Sequence, residues 1–120
     1  MTAGKQPVLK RTALGDEFLA TEADQGYVYV LVPVSVQNST RKTDSWLLVS
    51  WKLHDDKGNV YETDTEAGFY LPQRQQLDLS NVPPGATRSG YLVFQVSRSA
   101  KTLWLTVEAG FAGSKSWQLR

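Results

Sequence analysis

The sequence predicts an all-β protein: an immunoglobulin-like, two-sheet antiparallel β-sandwich of about seven to nine strands. It reads as a single domain over residues 1–120. Two observations carry the prediction. Runs rich in Val, Leu, Thr, Tyr and Trp alternate apolar and polar side chains with a period of two. Clusters of Gly, Pro, Asn, Asp and Ser separate these runs at intervals of roughly 8–12 residues, the spacing of short strands joined by turns. No segment shows a convincing helical period.

In chain order, Asp16 to Thr21 reads as a first strand after Gly15. Tyr27 to Asn38 is the clearest one, with Val28, Val30, Val32, Val34 and Val36 on one face. Five β-branched residues in alternation resist helix, because each loses rotamer freedom against the preceding turn. Pro33 cannot donate a ladder hydrogen bond, so it belongs at a bulge or where the strand's amide faces an edge. Ser45 to His54 places Leu47, Val49, Trp51 and Leu53 inward and Trp46 and Leu48 outward. Asp55-Asp56-Lys57-Gly58 is a hairpin turn, with Asp accepting local hydrogen bonds and Gly free to take positive φ. Asn59 to Thr63 returns from it. Asp64 to Gln76 is polar and reads as a long connection between sheets. Leu77 and Leu79 mark a short strand, and Asn81-Val82-Pro83-Pro84-Gly85 a stiff turn. Thr87 to Val96 turns Leu92, Phe94 and Val96 inward, and Lys101 to Glu108 does the same with Leu103, Leu105 and Val107. Ser116 to Leu119 is a last short strand. Residues 1–13 and 112–120 carry the weakest pattern.

Composition excludes several classes of function. The chain is 41% hydrophobic and 21% charged with a net charge of +1, as for a globular protein. Its Lys and Arg residues are scattered, which argues against nucleic acid as a partner. Without cysteine there are no disulfides, thiolate metal sites or cysteine nucleophiles. No apolar stretch approaches the roughly 18 residues that span a bilayer, so this segment is not expected to insert in a membrane. Met1 to Gln6 shows no apolar signal segment.

Catalysis is not expected. A nucleophilic triad needs a base beside the nucleophile, and the one histidine, His54, sits at a strand end before a turn. No cofactor motif is present. Asp55, Asp56, Glu62, Asp64, Glu66 and Asp78 form an acidic stretch, but their spacing is not that of an EF-hand, so calcium is disfavoured. Asn38-Ser39-Thr40 fits the glycosylation pattern and is read as chance. Trp51 takes the place of the core tryptophan on the third strand of immunoglobulin-like domains. Trp46, Leu48, Tyr91, Val93 and Trp104 point the other way. If the strands bearing them are neighbours, as C, F and G strands are, they form one apolar outer face for a homodimer or a protein partner. Covering by Phe69-Tyr70-Leu71 or by the segment around Trp117 is the competing arrangement.

Four stretches together resemble a bacterial domain family of unknown function that shares the sandwich of the immunoprotective extracellular protein of actinobacteria. They are Leu14-Gly15-Asp16; Gly26 to Val30 with Val36-Gln37-Asn38; Trp51 to Tyr61; and Pro84 to Phe94. The resemblance implies a non-enzymatic binding module of a bacterial lipoprotein or secreted protein, extracellular or at the cell envelope, with no transferable site residue. The alternatives are a cytoplasmic domain similar to the intracellular proteinase inhibitors of bacilli, and a carbohydrate- or small-ligand-binding module.

Overall fold

The computed structural model describes residues 2–3, 8–16, 19–38, 41–43, 50–108 and 114–119. Two antiparallel sheets face one another. In the first, β5 (Tyr27–Gln37) pairs on one side with β8 (Thr87–Ser97) along its whole length, from Tyr27↔Ser97 to Gln37↔Thr87. On its other side lie β1 (Thr2–Ala3) and β2 (Leu9–Arg11). The second sheet has the order β10-β9-β6-β7, comprising Ser114–Gln118, Leu103–Glu108, Ser50–Asp55 and Val60–Glu62. A separate hairpin joins β3 (Ala13–Gly15) to β4 (Ala20–Glu22). The predicted two-sheet sandwich is therefore present.

Alternation places the core. Val30, Val32, Val34, Val36, Phe94 and Val96 of the first sheet meet Trp51, Leu53, Leu103, Leu105 and Val107 of the second. The opposite face of β5 and β8 is buried too, which single-face alternation does not require. Tyr29, Leu31 and Val93 pack there against Leu14 of β3 and against Ala67 and Leu71. Pro33 shares the parity of Leu31, whose partner Val93 directs its carbonyl away from β5 to the Asp64 amide (2.7 Å). The missing amide thus faces away from β8, between the stretches of β5 that pair with β2 and β1.

Several local expectations are corrected. Asp16 and Leu19 lie between β3 and β4 rather than in a strand, and the Asp16 carboxylate accepts from the Leu19 amide at 2.9 Å. The polar connection holds a short helix, α1 (Thr65–Gly68), because Asp64 caps it through a 3.0 Å bond from the Ala67 amide. Leu77 and Leu79 form no strand; a single parallel bridge, Gln76↔Tyr91, ties that segment to β8. Leu79 packs in the core instead. Asn38 is fully buried and its Nδ2 donates to the carbonyls of Val82 (2.8 Å) and Lys42 (2.7 Å). The nitrogen a glycan would need is thus held inside the fold.

Gly90 is where the connection crosses β8. A Cβ at this position would lie 2.6 Å from the Leu77 amide nitrogen and 2.7 Å from the Gln76 carbonyl carbon. Both neighbours are backbone, so neither can swing aside. Gly90→Ala is expected to lower stability by about 1–3 kcal/mol. A shift of the urea midpoint with unchanged slope checks this; an unshifted midpoint would mean that the crossing is loose.

Candidate functional site: a cleft beside the outer face of the first sheet

Two small elements cover the outer face of β5 and β8 and leave a gap between them. On one side stands the β3–β4 hairpin. Gly15 (φ 111°) makes its tight turn possible, since a Cβ there would lie 2.1 Å from the Leu19 carbonyl oxygen. On the other side stands α1, capped by Asp64, whose amide donates to the Val93 carbonyl of β8. Gln76 extends that anchorage, donating from Nε2 to the Leu71 carbonyl at 2.9 Å.

Between them is a cleft of about 530 Å³. Tyr29 and Gln95 form its floor from β5 and β8; Thr21, Glu22 and Asp24 line the hairpin side; Asp64, Glu66, Ala67 and Tyr70 line the α1 side. Tyr29 Oη lies 3.4 Å from Thr21 Oγ1, and the Asp24 amide donates to Gln95 Oε1, so floor and hairpin are tied together. Leu19 and Phe69 complete the lining although they are 65% and 75% exposed. Two large apolar side chains left in water at one cavity are the feature most suggestive of binding. A smaller hollow of about 280 Å³ lies at the mouth between the sheets, lined in part by Trp51, Leu77, Leu79 and Leu92.

Residues 4–117 match the family described as Domain of unknown function (DUF4352). The chain belongs to this family. Two solved structures share its fold. A conserved hypothetical protein from Bacillus anthracis superposes with a TM-score of 0.72 at 18% identity, covering 94% of this chain and 82% of that one. An uncharacterized β-sandwich protein from Clostridium difficile 630 gives 0.58 at 13% identity, covering 94% and 81%. Among curated proteins none matches. No helix among the described residues is long and apolar enough to cross a membrane.

In this DUF4352 domain the aromatic outer face expected from the sequence does not assemble. Trp46 and Leu48 lie outside the described residues. Tyr91 and Val93 belong to β8 in the first sheet, where Val93 is only 3% exposed beneath the Leu14–Leu71 cluster. Trp104 belongs to β9 in the second sheet, half-buried and in register with His54 and Gln118. The reason is strand identity. β8 pairs with β5 as an E strand pairs with B, while β6, β9 and β10 take the C, F and G places. Of the expected Phe69-Tyr70-Leu71 cover, Tyr70 and Leu71 pack with Tyr91 and Val93, joined by Ala67, while Phe69 stays exposed.

The acidic stretch is likewise dispersed. Among the described residues no three His, Asp or Glu side chains are grouped to hold a metal. Asp56 accepts from the Lys101 (2.9 Å) and Thr102 (3.3 Å) amides, and Asp78 from Ser80. His54 Nε2 lies 2.9 Å from Thr106 Oγ1. The cleft escaped the sequence reading because its walls come from three separate regions. Phe69, a large apolar residue in an otherwise polar connection, was its one visible sign.

Asp55 locks the turn that leads into β7. It accepts from the amides of Lys57 (2.8 Å) and Asn59 (2.9 Å), from Asn59 Nδ2 (2.9 Å) and from Tyr61 Oη (2.7 Å). Burial pushes its carboxyl up, but the bonds from Asn59, Tyr61 and Lys57 outweigh it and hold the group at about 2, below the ordinary 3.8. A depressed folded-state value means stability that is present above pH 3.8 and lost as the pH falls toward 2. Asp55→Asn is expected to cost about 1–3 kcal/mol at neutral pH. Urea midpoints measured from neutral pH downward should show the gap between the two proteins closing below pH 3.8. A constant gap would remove the charge from the explanation.

Proposed function

We propose that this domain is a non-enzymatic ligand-binding module, and that its ligand occupies the cleft between the β3–β4 hairpin and α1. The observation that carries the reading is the pairing of Leu19 and Phe69, both largely exposed, across a cavity of about 530 Å³. That volume lies within the roughly 300–1,000 Å³ typical of small-ligand pockets. Tyr29 and Gln95 supply a floor on the longest strand pair, so the site sits on rigid elements while its rim is built from short ones. The accompanying proposal of an envelope or secreted setting, like that of the immunoprotective lipoprotein type, is supported by the sequence resemblance. Fractionation of the producing cell tests it separately.

Backbone amide NMR with a fragment library tests the site itself. Hits should perturb Tyr29, Ala67, Phe69 and Gln95, and Phe69→Ser should weaken them by about tenfold, equivalent to 1.4 kcal/mol, with the fold intact. Hits that gather around Trp104 and His54 instead would move the binding surface to the second sheet and defeat this reading.

A further inference from the structure

The apolar rim says where a ligand sits; the rest of the lining says of what kind. Glu22, Asp24, Asp64 and Glu66 are four of the residues that line the cleft, and no Lys or Arg lines it among the described residues. The chain as a whole carries 13 Lys and Arg against 12 Asp and Glu, so an all-acidic lining is not the general character of this surface. A single Asp64 oxygen is engaged, as the cap of α1. Tyr29, Phe69 and Tyr70 add aromatic rings, whose faces attract cations and repel anions.

We infer that the cleft binds a small organic cation, an amine whose apolar body lies against Leu19 and Phe69 and whose charge is met by the carboxylates of Glu22, Asp24 and Glu66. The inference rests on the cleft being a ligand site, as proposed above. Charge complementarity selects the cation, and the exposed Leu19 and Phe69 select an organic body over a bare ion. The volume favours a free small molecule over a protein surface. A carboxylate or phosphate ligand would enter a partly enclosed space whose charged lining residues are all acidic.

The test compares three probes of one shape: 2-phenylethylammonium, 2-phenylethanol and phenylacetate, titrated against the whole chain by amide NMR. The ammonium should shift Tyr29, Ala67, Phe69 and Gln95 and bind at least about tenfold more tightly than the alcohol, with phenylacetate silent. Salt at about 1 M, where the Debye length is about 3 Å, should erase most of that preference. The double substitution Glu22→Gln and Glu66→Gln changes exposed side chains only. It should bring ammonium and alcohol to equal affinity with the spectrum of the fold unchanged. If alcohol or phenylacetate binds the same residues as well as the ammonium does, the cleft remains a ligand site and the cationic assignment falls. If no probe shifts the cleft, both readings fall. A lysine-rich peptide that shifts residues well beyond the cleft, where the free amine does not, would overturn the inference in favour of a protein partner.

Discussion

The pairing of β5 with β8 is the constraint on which the rest of the structure depends. Eleven consecutive residues of each strand are in register, and the ladder carries apolar side chains on both faces. A sheet with one apolar face needs one cover; this one needs two. The second sheet supplies the first cover with a regular layer of Trp51, Leu53, Leu103, Leu105 and Val107. The other cover has to be improvised from what the chain places nearby, the β3–β4 hairpin and the segment from α1 to Leu71.

That difference explains which parts were legible in the sequence. Period-two alternation reports a strand with two unlike faces, and it located β5, β6, β8 and β9 along with the inward direction of Val30, Trp51, Phe94 and Leu105. It is blind to what covers the second face. Tyr29, Leu31 and Val93 read as outward, which they are; that they are also buried depends on residues 14, 67 and 71, far away in the chain. Sheet membership was equally hidden. Alternation along one strand does not say which strands are neighbours, and Tyr91 and Val93 on β8 belong to the opposite sheet from Trp104 on β9.

The polar connection shows why local chemistry misleads there. The acidic stretch around it reads in sequence as a solvated rim, yet Asp55, Asp56, Asp64 and Asp78 each accept hydrogen bonds from amides or hydroxyls. Short Asp side chains are suited to the local bonds that Asp55, Asp64 and Asp78 make, which close turns and cap helices, while Asp56 reaches the Lys101 and Thr102 amides. Glu22 and Glu66 differ in being exposed at the cleft with longer side chains, which is why they are better placed than the turn aspartates to meet a ligand.

The edge of the cleft is visible along β8 once its outward residues are taken in order. Tyr91 and Val93 are apolar and covered; Gln95 and Ser97 are polar and lie beyond the cover. The change falls between Val93, whose carbonyl anchors α1 through the Asp64 amide, and Gln95, whose side chain holds the Asp24 amide at the end of the hairpin. An apolar residue at 95 would need cover that Gln95, bonded to the Asp24 amide, does not. A polar one lets the cover stop, and in stopping leaves Phe69 and Leu19 without partners to bury them. The cleft is thus a consequence of where the second apolar face ends, set by one change of side-chain character on the strand that organises the sheet.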